Sequence, residues 1–459
     1  MDATTLHQLQ AIVGRENVTV ERADLLCYSY DGSNLEYPPE AVVFPSSAAE
    51  ISAIMRLATE KRIPVVVRGA GTGMTGGALA VAGGIVLATS RMNRILEIDT
   101  DNHLAVVEPG VLNGDLKQAA ARHGLFYPPD PASYSFCTLG GNVAEGAGGP
   151  AAVKYGVTRD YVLALEVVLA DGRILHTGER TAKGVVGYDL TRLFTGSEGT
   201  LGIITKITVR LLPLPTARAT LLLLCTGPDQ AARLVNDILA RATPCALEFM
   251  DRTAIAIVRD KFPFPLPEET GALLLVELDG DRDSVEQQAD RLTDYLAGLH
   301  LPLLARAKDD EERRGLWNAR RAISPASFTL KPHKLGEDVV VPRSRIPELV
   351  TATARLAAEN GLPIFSFGHA GDGNLHVNIM YDRDDDNERQ RARAAKERLF
   401  RITVELGGTI SGEHGVGITK APYISLERDA VFLDVMRDLK RLFDPHNILN
   451  PGKILPAEG

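Results

Sequence analysis

Hydrophobic positions in this chain fall into short runs, and the spacing between them changes character along its length. Residues 1–37 read as a short helical opening and a Tyr-rich polar connector. Val42–Phe44 then reads as a strand, Ser46 and Ser47 cap a helix running to Lys61, and Pro64–Val67 reads as a further strand. Ile95–Asp99 and Leu104–Glu108 alternate about Asp101-Asn102, and Leu165–Leu169 faces Ile174–Thr177 across Asp171-Gly172. Both spacings predict hairpins. Leu211–Pro215, with two prolines, ends this region and predicts a linker. Beyond it Thr220–Cys225, Ala272–Leu278 and Asp338–Val341 read as strands separated by helices, one near Asp229–Ala242, which predicts an antiparallel sheet covered by helices. Ala430 to Phe443 has the period of an amphipathic helix and breaks at Asp444-Pro445. The pattern predicts an α+β chain in four spans: a lead-in over 1–37, a glycine-rich β domain over 38–215, an α+β domain over 216–425, and a helix and tail over 426–459.

Composition narrows the classes without selecting one. A chain of 459 residues predicts two or three domains at roughly 150 residues each. A hydrophobic content of 45% and a charged content of 24% are those of an ordinary globular protein, and a net charge of −9 argues against nucleic acid as a partner. The opening residues lack the basic and apolar regions of a secretion signal, and no apolar run reaches the length of a membrane span, so a cytoplasmic protein is expected, at most peripheral at the inner face of the membrane. Cys27, Cys137, Cys225 and Cys245 are scattered with no C-x-x-C pair, which argues against structural disulfides and against an iron–sulfur cluster.

Two segments near the C-terminus carry candidate chemistry: Ser366–His376 and Ser411–Gly417. The first places Asp372-Gly373 between two apolar runs, Leu362–Phe367 and Leu375–Met380, which predicts a two-residue hairpin turn. With the turn centred there, His369 faces His376 at a Cβ separation of about 5 Å. Two imidazoles at that spacing can share one metal ion, with Glu413 as a third, oxygen ligand and the adjacent His414 left to move a proton. The plain alternative is a polar hairpin whose histidines cap backbone groups; the Glu-His pair set between glycines favours the metal.

The glycine-rich region carries a second body of chemistry. Arg68–Gly77, Thr138–Gly149 and Gly196–Ile204 are three glycine-dense stretches. Such loops adopt positive φ and turn successive N–H groups toward an anion. The first is neither a Rossmann fingerprint, because no helix opens directly after it, nor a Walker A loop, because no Gly-Lys-Ser/Thr ends it. Three such stretches together predict a long, phosphate-containing ligand laid along glycine-lined backbone.

Those stretches, with Pro129-Asp130 and Lys154–Val157, resemble the flavin-binding domain of the vanillyl-alcohol oxidase and p-cresol methylhydroxylase superfamily. His369–His376, Gly412–Gly417 and Phe443–Lys453 resemble its D-2-hydroxy-acid dehydrogenase branch, which holds D-lactate and D-2-hydroxyglutarate dehydrogenases and the flavin subunit of glycolate oxidase. The resemblance covers roughly 38 to 455. It implies a two-lobed p-cresol-methylhydroxylase-type FAD-binding domain over 38–215, followed by a cap domain that lays the substrate over the flavin.

Carried onto this chain, the resemblance implies that Arg68, Gly69, Ala70, Gly71, Thr72, Gly73, Met74 and Gly77 hold the pyrophosphate. Thr138, Gly141 and Asn142 would then run beside the ribityl chain and ring, with Pro129, Asp130, Gly148, Tyr155, Gly156 and Val157 also at the cofactor. Gly199, Gly202 and Ile204 would meet the adenosine half, and Asn450 the isoalloxazine. The first loop has no His, so FAD is expected to be noncovalent. His369, His376 and Glu413 match the branch's ligands for a divalent metal (Zn, Mn or Fe), and His414 its catalytic base. Arg320 matches an arginine that grips the substrate carboxylate by two hydrogen bonds; Arg321, its neighbour on a helix, would point elsewhere. Ser324, Lys334 and Asn374 complete the implied substrate contacts.

The implied reaction is oxidation of a small D-2-hydroxy acid, D-lactate or glycolate, by hydride transfer to flavin. Electrons would leave to an iron–sulfur subunit, an electron-transfer flavoprotein, a cytochrome or a quinone, since no pyridine-nucleotide fingerprint is present. A homodimer is compatible. Three alternatives stand beside it: a D-2-hydroxyglutarate dehydrogenase, a non-redox alkyl-dihydroxyacetone-phosphate synthase, and a noncatalytic flavin-binding subunit of a glycolate oxidase-like complex.

Overall fold

The computed structural model describes residues 1–456, and they divide into two compact units. The first comprises Met1–Gly148, Val157–Leu214 and the chain from Glu413 onward; the second comprises Gly149–Gly156 and Pro215–Gly412.

In the first unit a four-stranded sheet runs in the order Val18–Thr19, Ala41–Val43, Ile85–Ala88, Val65–Arg68, the last three parallel. The helix Ala48–Lys61 starts where its cap residue predicts, since Ser47 Oγ accepts the Glu50 N–H at 3.2 Å. Its Ile51, Ile54, Met55 and Ala58 are fully buried in a core shared with Val43, Val65, Ile85 and Leu87. The C-terminal tail returns to this sheet: Val65 N–H donates to the Ile448 carbonyl at 2.7 Å, and Asn450 N–H to the Val65 carbonyl at 2.8 Å. A five-stranded antiparallel sheet follows in the order Ile95–Asp99, Leu104–Val107, Ile203–Arg210, Val162–Val168, Ile174–Gly178. Both expected hairpins are in it, closing at the pairs Asp99–Leu104 and Val168–Ile174.

The second unit is built on seven antiparallel strands: β1 (Ala217–Cys225), β2 (Ala246–Asp251), β3 (Ala272–Gly280), β4 (Leu303–Arg306), β5 (His333–Val340), β6 (Ile364–His369) and β7 (Asn374–Tyr381). Their order across the sheet is β4-β1-β3-β2-β6-β7-β5. β1 lies inside the sheet, and Leu221 through Leu224 are fully buried on both of its faces. A continuous apolar run, rather than an alternating one, follows from that burial. Helices Pro228–Leu239, Arg282–Ala297, Ile346–Asn360 and Asp386–Glu405 pack on the sheet. A further core gathers Leu222, Leu275, Met250, Phe365 and Phe367 under Leu316, Trp317 and Ile323.

The β6–β7 hairpin departs from its expected register. His369 pairs with Asn374, and His376 pairs with Phe367. The loop is the four residues Ala370–Gly373 rather than a two-residue Asp-Gly turn. Its position explains the difference, because the hairpin lies inside the sheet and its loop bonds to neighbours on both sides. Gly371 N–H donates to the Leu247 carbonyl of β2 at 3.1 Å, and Val341 N–H, just past β5, donates to the Gly373 carbonyl at 3.1 Å. Asp372 closes the loop by accepting the Asn374 N–H at 3.1 Å.

Candidate functional site

A register shifted by two residues keeps every side chain on its face of the sheet. His369 and His376 therefore stay neighbours, diagonally instead of directly opposed. Their rings meet edge to face at 5.1 Å between centroids, with the two Nε2 atoms 3.3 Å apart. Phe367, on the same face, packs at 5.4 Å from the His376 ring.

The next strand supplies a residue that the sequence pattern did not mark. Glu248 of β2 pairs with His369 in register and is fully buried. Its Oε1 is 2.6 Å from His369 Nδ1, and its Oε2 accepts from Arg320 Nε at 2.7 Å and pairs with Arg320 Nη2 at 2.5 Å. Burial alone would raise the Glu248 carboxyl, but the Arg320 guanidinium and His369 outweigh it and draw its pKa down to about 2. Arg320 comes from the helix Asp310–Arg321, whose Arg313, Trp317 and Arg320 share one face at i, i+4 and i+7. That face carries a second buried carboxylate contact, since Trp317 Nε1 donates to Glu277 Oε2 at 2.6 Å. Arg321 is exposed and donates to Asn318 Oδ1 at 2.9 Å, so the two adjacent arginines diverge.

Just past the helix, Ser324 and Lys334 come together: Lys334 Nζ donates to Ser324 Oγ at 2.8 Å and lies 5.3 Å from the Phe328 ring centre. Burial pulls the Lys334 pKa below its ordinary value. Asn374 is buried, and its Nδ2 donates to the Val339 carbonyl at 3.2 Å. Asp338, opposite His376, accepts the Gly412 N–H on Oδ2 at 2.9 Å, which fixes the backbone one residue before Glu413. Tyr155 and Gly156 belong to this second unit, where the Tyr155 hydroxyl lies 2.9 Å from both oxygens of Asp279.

In the first unit the loop after Val65–Arg68 folds back over its own arginine. Gly71 has φ +70°, and a Cβ there would sit 2.2 Å from Arg68 Nη2; one on Gly69 would sit 2.2 Å from Thr138 Oγ1. Arg68 is buried, its Cζ lies 5.5 Å from the Tyr28 ring centre, and its Nη1 has no hydrogen-bond partner among the described residues. A buried cation with an unanswered N–H beneath a glycine cradle fits an anionic group such as a pyrophosphate. Thr138 caps the helix Leu139–Glu145 by accepting the Gly141 N–H at 3.3 Å, and Asn142 lies buried within that helix. The Pro129 carbonyl, just before Asp130, accepts from Asn113 Nδ2 at 3.2 Å.

Asn450 ties two glycine stretches together, donating to the Gly77 carbonyl at 2.9 Å and to the Glu198 carbonyl at 2.7 Å. Gly199 follows at φ +68°, while Gly202 is hemmed in by Val167 and Phe194 and Ile204 is buried in the sheet. The Glu198 carboxylate is buried and accepts the Val416 and Gly417 N–H groups at 2.7 and 2.8 Å, which anchors the turn bearing Glu413 and His414. Burial holds the Glu198 pKa above the usual carboxylate range, against those N–H groups and Lys420 and Lys453. Thr75 Oγ1 donates to the His414 carbonyl at 3.1 Å, and His414 Nε2 lies 3.9 Å from Glu413 Oε1. Gly148 makes room for Glu413, because a Cβ there would sit 2.6 Å from its Oε2.

A methyl group tests the cradle directly. Gly71→Ala adds left-handed strain of about 1–3 kcal/mol and must displace Arg68. The variant is expected to bind FAD at least ~10-fold more weakly, read as flavin absorbance per protein after dilution and filtration; wild-type retention would remove this loop from the cofactor site.

Comparison with known proteins gives consistent results over nearly the whole length. Residues 39–178 match the family model for an FAD binding domain, and residues 214–454 that for the C-terminal domain of FAD linked oxidases. A glycolate oxidase subunit GlcD of Bacillus subtilis (strain 168) is 45% identical over 98% of this chain and 96% of its own. A D-lactate dehydrogenase of Anaerostipes hadrus is 38% identical over 91% of this chain and 89% of its own. Among solved structures, p-cresol methylhydroxylase with substrate bound superposes with a TM-score of 0.84 at 20% identity, covering 99% of this chain and 96% of that one, a likeness of fold.

Proposed function

The chain belongs to the FAD-linked oxidase family, and on that premise we propose that it oxidises a D-2-hydroxy acid, D-lactate or glycolate, to the 2-oxo acid. One observation carries the reading: His369 and His376 bring their Nε2 atoms to 3.3 Å on the sheet whose Glu248 also meets Arg320. Two nitrogens bound to one tetrahedral zinc at ~2.0–2.1 Å would lie about 3.3 Å apart, so the pair fits a shared ion. An ionised Glu248 can only accept, so His369 Nδ1 carries the proton and Nε2 presents its lone pair. Glu413, one residue beyond the backbone that Asp338 fixes, is the proposed oxygen ligand.

Bound FAD supplies the hydride acceptor, and a divalent ion on His369, His376 and Glu413 supplies polarisation of the substrate's 2-hydroxyl. His414 then accepts the hydroxyl proton as general base. Arg320 holds the substrate carboxylate and thereby orients C2–H. Because its Nε and Nη2 face Glu248, it offers the Nη1–Nη2 end rather than the side edge, so the carboxylate is met end-on. Ser324 and Lys334 form a second polar contact, and Lys334 is the candidate for a second contact to that carboxylate. The intact histidine, glutamate and arginine set favours a catalytic chain over a noncatalytic flavin carrier.

Substrate-dependent bleaching of the FAD absorbance under anaerobic conditions, across glycolate, both lactates, D-2-hydroxybutyrate and D-2-hydroxyglutarate, tests the proposal. Bleaching by D-lactate or glycolate ahead of D-2-hydroxyglutarate supports it; bleaching by none would reject it.

The electron acceptor is the next expectation. No helix among the described residues is long and apolar enough to cross a membrane, and the relative of highest identity reported above is named as a subunit. Both favour transfer by surface docking to another protein or to a quinone. Steady-state turnover should be rapid with an artificial dye, negligible with NAD⁺ and slow with oxygen alone. Peroxide formation at the dye rate would make the protein an oxidase.

A further inference from the structure

One carboxylate serves two residues that the proposed chemistry keeps separate. Glu248 is fully buried and meets His369 Nδ1 through Oε1 and the Arg320 guanidinium through Oε2. The three residues lie far apart in sequence, His369 being 121 positions and Arg320 72 positions after Glu248. Arg320 also stacks on Phe367, with Cζ 4.5 Å from the ring centre, so its guanidinium is held from two sides.

We propose that Glu248 is a positioning residue that sets the tautomer of His369 and the orientation of Arg320 together, coupling metal affinity to recognition of the substrate carboxylate. The inference rests on the metal reading above and adds a residue that touches neither metal nor substrate. The argument is one of donors and acceptors. His369 and Arg320 both present N–H groups to Glu248, and a carboxylate is the group of this size that accepts on both oxygens.

A glutamine cannot satisfy both sides. With its carbonyl toward Arg320, its NH₂ faces His369 Nδ1, which must then accept. The imidazole proton moves to Nε2, and the lone pair aimed at a cation is lost. With the carbonyl toward His369, the NH₂ opposes the Arg320 N–H groups and the guanidinium is displaced. Paired replacement removes the conflict. In Glu248→Gln/Arg320→Gln, residue 248 can again accept from His369 Nδ1–H while donating its NH₂ to the carbonyl of residue 320.

The test measures zinc affinity on FAD-loaded protein by competition with a chromogenic chelator, for wild type, H376A, E248Q, R320Q and E248Q/R320Q. Thermal unfolding is followed in parallel. E248Q is expected to bind zinc roughly 10–100-fold more weakly than wild type, the usual cost of losing the group behind a histidine ligand. E248Q/R320Q is expected to recover most of that affinity while remaining unable to bleach its flavin with substrate. R320Q alone should bind zinc as wild type does.

If E248Q fails to fold, the double variant and R320Q still decide the matter: zinc affinity in the double variant as poor as in H376A would overturn the inference. A purely structural Glu248 would lower the melting temperature of E248Q and leave its zinc affinity unchanged, which also overturns it. Wild-type protein that takes up no zinc would reject the metal reading and this inference together. Wild type and E248Q binding zinc equally, with H376A deficient, would reject this inference alone.

Discussion

Replacing His376 with Ala, or stripping the protein with a chelator, is expected to leave FAD in place and abolish reduction of the flavin by substrate. The two effects separate because the glycine cradle and its buried Arg68 lie in the first unit, whereas the histidine pair stands on the sheet of the second. Lewis-acid stabilisation of a developing alkoxide is worth several kcal/mol, and about 4 kcal/mol corresponds to a ~10³-fold slower hydride step. Anaerobic stopped-flow bleaching of the FAD band reads the rate, while the absorbance before mixing reads the flavin content. Readdition of zinc or manganese should restore the chelated wild type and leave His376→Ala inactive. Undiminished bleaching in metal-free protein would sink the metal assignment.

The second large effect falls on His414. Asn in its place keeps a similar shape and removes a titratable base, a change of roughly 10²–10⁴-fold in rate for catalysis of this kind. The His414 carbonyl is held by Thr75 Oγ1, and the following turn is held by Glu198 through the N–H groups of Val416 and Gly417. Those contacts involve backbone atoms at positions 414, 416 and 417, so the substitution should leave the turn and Glu413 where they are. Zinc affinity is therefore expected at the wild-type value. The pH–rate profile for flavin reduction is the discriminating measurement. A variant that bleached at the wild-type rate across pH would assign the base to another group.

Sequence reasoning brought His369 and His376 together more reliably than it read their pairing. The two-residue period of β6 and β7 places His369 and His376 on one face whichever even register the hairpin takes, so the pair survived a misread turn. The turn itself was not legible. Asp372-Gly373 carries a strong local signal, but the loop bonds to β2 and to the chain after β5, and those partners are invisible within a window of a few residues. Ser324 and Lys334, both expected from the resemblance, meet in the structure. Glu248 was missed for the opposite reason. It is a single charge in the apolar run Ala246–Met250, with no partner nearby in sequence. A lone carboxylate inside an otherwise buried strand was the available signal, and it is one that demands a distant partner. Tyr155, matched to the cofactor by resemblance, has a contact that the motif does not carry: its phenol meets Asp279 in the second unit, where burial and that carboxylate hold its pKa above the ordinary value.

The tail that closes the first sheet also sets a timetable. Val65 takes both of its tail hydrogen bonds from Ile448 and Asn450, and Asn450 in turn bridges Gly77 and Glu198. During synthesis these partners reach Val65 only once Ile448 and Asn450 have been added, roughly 20–80 s after Val65 itself at ordinary elongation rates. The strands from 215 to 412 have meanwhile all left the ribosome, so the histidine-bearing sheet can be complete while the cofactor cradle still lacks its clasp. The glycine cradle thus gains its clasp only after the strands of the second unit have been made, and a chain cut short before Ile448 would carry the histidine sheet with the cradle left unlatched.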